Sequence, residues 1–578
     1  MVLQCYFSRA VFSVKLHLKV YYSANRKRVR PRRQKSTLWK HPRDRSRALS
    51  PVNNIAQSMP IVDAFGMRVV ARLLDFFGSG TPWYRRLWCS STLLALEEVL
   101  EASYASRAGI LSEDLFGTTV QSALALLGPD PGVGTREAKR ALQQALKKNI
   151  APDGVDFEVV KLGAEAVRSN YLHLWAEAIN RGEMPGAERT ARSIASHLLD
   201  AGFSPRHLHR WCKYQVQNVA GAASLSALVE NAHAMFRKPV EEFSVLVPFE
   251  GVPESKSGRP SNWVPAKDVV SWLTSQGLDS SGIQQNGALL FRLPARDPWA
   301  AVEAVVDTVD QLSSRVALGT NGYLKPSRSV WVEGIQQPFS FGRQRRRVEV
   351  HALHREDKLY SLEEASIVDA ALHMMGALNS EPANTAITTG WAAIEALLSG
   401  PGDPDVVAGT RLAALVACSF VRAELTTLSY RLRAGDPLVP ALEGCGANRE
   451  RAKVVASAIV NNTALTLSAE EDKAAVDRMR KILGNPYDSL RDIHNQVSAV
   501  FTRMYKNRNL VIHWGKIDAV GLSSNLRAAG PLAGAGLDRI AHAWFVEKVR
   551  PMELAARARF GLETVGSHGG PDPVDLLE

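Results

Sequence analysis

Apolar residues recur at helical spacing from residue 60 to about 235. Leu93, Leu94, Leu96, Val99 and Leu100 make one such face, and Val120, Leu124, Leu126 and Leu127 make another, as amphipathic helices around a core do. Pro- and Gly-rich breaks at 128–132 and 182–186 divide them. Ile194 to Leu199 ends at Gly202, and Ser204-Pro205 opens the next helix as N-cap and first turn. From residue 241 the period changes. Val245-Leu246-Val247, Leu289-Leu290-Phe291, Val330-Trp331-Val332 and Val348-Glu349-Val350 read as strands. Helices over 266–276 and 298–313 lie between the first three, the second with Asp297 as N-cap and Pro298 in its first turn. That alternation predicts a small α/β domain. Helical spacing returns at Leu362 and runs to Phe560. The chain is therefore read as mainly α and multidomain. It divides into an extension (1–58), a helical region (59–240), a small α/β domain (241–355), a C-terminal helical domain (356–562) and a flexible tail (563–578).

Composition changes this picture at one end only. The chain has 578 residues, 46% of them apolar, and a formal net charge of +12. Residues 1–50 hold fourteen Lys or Arg against one acid, Asp44, which leaves 56 basic and 57 acidic residues for the rest. A protein that wraps a duplex spreads its cations along a binding face, and this one does not. Val14, Leu16, Leu18 and Val20 alternate with Lys15, His17 and Lys19 like a half-exposed strand, and Arg26 to Lys35 form a basic arm. Composition shifts abruptly before Met59 and Met67, either of which would open the helical body. Residues 1–58 are accordingly expected to precede the native start. Arg9, Lys15 and Lys19 interrupt any secretory core, and no run of 18 apolar residues predicts a membrane span. Five scattered cysteines (Cys5, Cys89, Cys212, Cys418 and Cys445) form no C-x-x-C. They point to a reducing cytoplasm rather than a disulfide framework or zinc knuckle.

Most catalytic patterns are missing. Gly128 to Thr135 lacks the Lys a phosphate loop needs. His207-x-His209 and His351-x-x-His354 have no acidic or thiol companions at ligand spacing, so no metal and no cofactor is expected. The informative run is Arg508-Asn509-Leu510-Val511-Ile512-His513, preceded by Tyr505-Lys506-Asn507 and stopped by Trp514-Gly515. Ile493, Val497, Val500, Phe501 and Met504 place it at the end of a helix with one buried face. A fixed cation and a titratable imidazole are the parts needed to break a phosphodiester whose own ribose 2′-hydroxyl is the nucleophile.

This run resembles the R-x-x-x-x-H signature of HEPN-superfamily ribonucleases. Thr389-Gly390-Trp391-Ala392-Ala393-Ile394-Glu395-Ala396-Leu397-Leu398 resembles the W-x-x-hydrophobic-E-x-L-L helix of the Apea-like branch, and Gly409 to Leu415, with Arg411, resembles the helix that follows it there. The resemblance covers roughly Leu362 to Phe560, about a third of the chain. It implies an all-α HEPN bundle acting as a metal-independent endoribonuclease in antiviral defence or stress-triggered growth arrest. It also implies a homodimer whose site lies between two such domains, with a regulatory partner or antitoxin as a further candidate partner.

Roles follow from chemistry. His513 transfers protons and Arg508 binds the phosphate where charge develops, while Asn509 orients a phosphate or the imidazole. Glu395, beside a buried stripe, is expected to orient Arg508 or Arg411, with Tyr505 as a further orienting residue. Arg343, Arg345, Arg346 and Arg347 are candidates for holding an RNA backbone, set against a solvated loop. Positions five apart lie about 140° apart around a helix. Arg508 must therefore swing round near the helix end, or meet His513 of a second subunit. Two other readings stay open. The HEPN fold could serve as a non-catalytic dimerisation or RNA-binding module. Alternatively, Arg206, His207, His209, Arg210, Lys213 and Tyr214 could form the recognition helix of a helix-turn-helix, set against an ordinary αα-hairpin.

Overall fold

Side-chain caps begin many of the helices in the computed structural model, which describes residues 63–578 except 149, 184, 218–221, 254–257, 279–282 and 364–365. Ser91, Ser112, Thr135 and Ser224 each accept a bond from the backbone N–H three residues on, satisfying a donor the helix itself leaves orphaned. The expected Ser204 cap receives the His207 N–H at 3.2 Å, and Asp297 caps the Pro298–Thr320 helix through the N–H groups of Trp299 and Ala300. The buried Asp297 also accepts from Ser204 N and Oγ at 2.7 and 2.8 Å. One carboxylate thus ties the helical region to the α/β region. The reading of residues 1–58 as an extension lies outside the described residues.

Twenty α-helices and six short strands make up the described chain, so it is mainly α with a small central α/β region. The strands are β1 (Glu241–Gly251), β2 (Trp263–Val264), β3 (Ala288–Ala295), β4 (Lys325–Pro326), β5 (Ser329–Val332) and β6 (Phe339–Ser340). They form an antiparallel sheet in the order β2-β3-β1-β5-β6, with β4 also on β1. Val245 pairs with Phe291 and Val332, and Leu246 with Leu290 and Trp331. Val245, Val247 and Phe249 pack on the Pro298–Thr320 helix, while Leu246 packs on the Ala266–Ser275 helix. Helices on both faces explain why these strands read as unbroken apolar runs.

The 348–350 segment is not a strand. It passes instead over the Leu522–His542 helix, where added Cβ atoms at Gly530 and Gly534 would sit 2.6 Å from Arg346 O and Glu349 N. Only glycine lets backbone and helix approach so closely. The flexible tail is also corrected. Val574, Leu576 and Leu577 are buried, and Asp575 holds Arg449 Nε at 2.6 Å and Lys453 Nζ at 2.7 Å. Among the described helices, Val407–Ser429 is long and apolar enough to cross a membrane, and 78% of its most apolar 18-residue window is buried within the fold.

The first helical region and the C-terminal bundle share a core. Tyr84, Trp88, Ala102 and Leu111 belong to the same apolar cluster as Trp391, Phe420 and Leu532. Arg85 reinforces the join with Nε 2.7 Å from Glu424 and Nη1 2.8 Å from Asp472, all three buried.

Candidate functional site

The site stands at the C-terminal end of the Pro486–Trp514 helix. Asn485 caps its start, Pro486 fills its first turn, and Gly515 at φ +66° ends it, with its N–H bonded to Leu510 O. A glycine stop of this kind is the usual way a helix closes. Its buried stripe comprises Leu490, Ile493, Val497, Val500, Phe501 and Met504, and it lies against the Ala383–Leu398 and Val407–Ser429 helices. An added Cβ at Gly390 would come within 2.9 Å of Met504 Cε, and one at Gly409 within 2.8 Å of Phe501 Cβ. Gly390, Trp391 and Gly409, three residues of the matched upstream stretches, therefore serve close helix packing.

Above Met504 the same helix turns polar. Tyr505 packs its ring 5.1 Å from that of the fully buried Trp391 and donates its hydroxyl to Asp405 Oδ2 at 2.6 Å. Burial pushes the Tyr505 hydroxyl above its ordinary range; Asn509 pulls it down and Asp405 adds to the rise. Tyr505 thus stays a proton donor and faces Asn509 one turn on. Arg508 Nη1 donates to Asn509 Oδ1 at 3.0 Å and to His513 Nε2 at 3.2 Å. Because a guanidinium only donates, Nε2 accepts and the imidazole carries its proton on Nδ1. Asn509 is buried, Arg508 half-buried and His513 exposed. Among the described residues no carboxylate lies at ion-pair distance from Arg508, and His513 bonds to no helix carbonyl. A fixed cation and a neutral imidazole therefore meet at an open surface within one chain. The side chain spans the angular gap, so the geometry no longer demands a second subunit to complete the pair.

Neighbours from far away in the chain hold this helix end. Glu98 accepts from Arg503 Nη2 at 2.6 Å and Nε at 3.1 Å. Lys506 Nζ lies 3.2 Å from Glu98, at ion-pair distance but outside hydrogen-bond geometry. Burial alone would raise the Glu98 carboxyl, yet Arg503 and Lys506 hold it below the usual carboxylate range. Burial pushes the Lys506 ammonium down. Glu101 accepts from Val520 N at 2.9 Å and pairs with Lys516 Nζ at 2.8 Å, bracing the turn that follows His513. Sequence reasoning missed Glu98, Glu101, Arg503, Lys506 and Asp405. The one available signal was two acids three apart on a leucine-rich helix face, which buried carboxylates do not occupy without partners.

Other expectations are corrected. Glu395 is half-buried and orients neither arginine. Arg411 forks instead onto Asp403, with Nη2 3.0 Å from Oδ1, and onto Leu398 O at 2.8 Å. Arg343 sits 2.6 Å from both Asp307 and Asp310. Arg346 donates to Leu378 O and Glu381 O at 3.0 and 2.8 Å, closing the Ile367–Ser380 helix, and Arg347 pairs with Glu349 at 3.2 Å. Arg345 alone of the four is exposed without a partner among the described residues, so the run is no ready grip for RNA. Arg206 and Arg210 lie over the Trp299 ring, at 5.8 and 5.3 Å, which partly occupies the face a major groove would need. Among the described residues no group of three His, Cys, Asp or Glu is placed to hold a metal. No protein-family model, curated protein or solved structure matches the chain.

Proposed function

We propose that this chain is an endoribonuclease that cleaves RNA through the substrate's own 2′-hydroxyl, without a metal. The observation that carries it is the contact of Arg508 with His513 and Asn509 at an exposed helix end. A phosphodiester arriving there offers Arg508 better acceptors than a neutral imidazole does. The guanidinium then turns to the non-bridging oxygens and releases His513 Nε2. Nε2 takes the 2′-hydroxyl proton as the 2′-oxygen bonds to phosphorus, and the bond to the 5′-oxygen breaks. That oxygen leaves with a proton from the imidazolium or from water, and a 2′,3′-cyclic phosphate remains. Asn509 keeps Arg508 aimed. The HEPN resemblance adds antiviral defence or growth arrest as the setting. A cytoplasmic location is supported by the four described cysteines being free thiols.

A second reading has its own support. Ile512, Trp514 and Ile517, around His513, are 48%, 38% and 62% exposed. An apolar patch of this kind favours docking of a second copy, as a homodimer or a purely binding HEPN module would use it. The discriminating experiment incubates the purified full chain and its His513→Ala variant with single-stranded RNA. Cleavage by the parent alone, with the variant still folded and of the same oligomeric state, supports the nuclease. Equal RNA binding by both with cleavage by neither supports the binding module.

A further inference from the structure

A cavity of about 300 Å³ lies away from the Arg508–His513 end, and its wall carries Arg86, Arg347, Arg355, Arg422, Arg449 and Arg539. Four of these arginines have carboxylate partners. Arg347 pairs with Glu349 at 3.2 Å, Arg355 with Asp538 at 3.1 Å, Arg449 with Asp575 at 2.6 Å, and Arg422 with Glu578. Among the described residues the other two have none at ion-pair distance. Arg86 reaches only the carbonyls of Thr81 and Ser79, at 2.8 and 3.1 Å. Arg539 has no partner among the described residues, and its Nε and Nη2 are shut off from solvent with nothing to donate to. Burial, together with Arg347 beside Arg86 and Arg422 beside Arg539, lowers both guanidinium groups to about 10. Each therefore remains a cation at neutral pH. Glu349 near Arg86, and Glu578, Glu547 and Asp538 near Arg539, offset part of that burial, but buried guanidinium donors left without an acceptor are costly, and an incoming anion would relieve them.

We propose that this cavity is a second ligand site, taking a phosphate-bearing small molecule of nucleotide size with Arg539 as its anchor. Planar guanidinium forks match phosphate oxygens. The volume suits a mononucleotide and is too small for a folded partner. Trp83 forms part of the wall and offers an aromatic surface to a base. The wall draws on the segment between the Ala64–Phe77 and Thr92–Arg107 helices, the 347–355 link, and the Val407–Ser429 and Leu522–His542 helices. A bound anion would thus bridge regions far apart in sequence.

The test titrates the full-length protein with inorganic phosphate, AMP and ATP at constant ionic strength. Binding is read by calorimetry and by thermal shift against matched sodium chloride. AMP or ATP is expected to raise the melting temperature and to bind more tightly than inorganic phosphate. Arg539→Gln and Arg86→Gln should each weaken binding tenfold or more, while Arg508→Ala leaves it unchanged. Should Arg539→Gln fail to fold, Arg539→Lys keeps the charge, loses the fork, and is expected to bind several-fold more weakly. No stabilisation by any of the three anions, affinity equal for phosphate and nucleotides, or binding unaffected by the Arg539 substitutions would overturn the proposal. The Arg508→Ala arm separates this outcome from any failure of the nuclease reading.

Discussion

Arg508 Nη1 donates to His513 Nε2 at 3.2 Å although the two lie five positions apart on one helix. The long arginine side chain closes an angular gap of about 140°, and Asn509 Oδ1 receives the same nitrogen at 3.0 Å. Each chain therefore owns a complete pair. Arg508→Ala and His513→Ala should each lower RNA cleavage by about a hundredfold or more, with circular dichroism and melting temperature unchanged. A mixture of the two variants should stay inactive. Recovery of activity in the mixture would mean that sites are built across subunits after all.

In the proposed mechanism Asn509, which accepts from Arg508 Nη1 at 3.0 Å, acts through Arg508 rather than on the substrate. Asn509→Ala removes one hydrogen bond, so kcat should fall by about fivefold to tenfold, as a loss of about 1 kcal/mol does. KM should move little, and Asn509→Asp, which keeps the acceptor, should restore most of kcat. Equal loss in both variants would show a packing role.

Glu98 holds Arg503 and Lys506 inside the fold. Glu98→Ala strands two buried cations and should cost about 3–5 kcal/mol, read from urea unfolding. A loss within about 0.5 kcal/mol would show that water or other groups already serve those cations.

His197 provides a pH-dependent test of the core. It is buried, both ring nitrogens lack hydrogen-bond partners among the described residues, and it stacks 4.5 Å from Tyr171. Burial lowers its pKa to about 3 from 6.5. Between those values the unfolded chain binds the proton and the folded chain does not. Its contribution to stability is therefore constant above about pH 6.5 and falls by about 1.4 kcal/mol per unit below it. About 2 kcal/mol should be lost by pH 5, and His197→Phe should flatten that slope. An unchanged slope in the variant would place the acid sensitivity elsewhere.

The patterns that were legible in sequence are local ones. The apolar stripe from Ile493 to Met504, the Gly515 stop and the Ser204 and Asp297 caps all follow from periodicity and turn chemistry. What escaped depends on partners far along the chain. Arg343, Arg346 and Arg347 read as a free basic run, but Asp307, Asp310, the Leu378 and Glu381 carbonyls and Glu349 engage them. Glu395 sits where a partnered carboxylate was expected, yet Arg411 turns to the nearer Asp403. The 348–350 segment alternates like a strand but has Gly530 and Gly534 of a helix, not a sheet edge, beside it. The Gly- and Pro-containing tail hides four apolar residues, Val565, Val574, Leu576 and Leu577, that find the core.

The most direct measurement is of the ends left on RNA. A single-stranded RNA labelled at its 5′ end, and a copy with one 2′-deoxy residue at the main cleavage position, are incubated with purified protein in EDTA. If Arg508 and His513 work as proposed, the RNA yields 2′,3′-cyclic or 3′-phosphate and 5′-hydroxyl ends, and the deoxy position is not cut. Cleavage at the deoxy position, 5′-phosphate products, or activity only with added magnesium would contradict it.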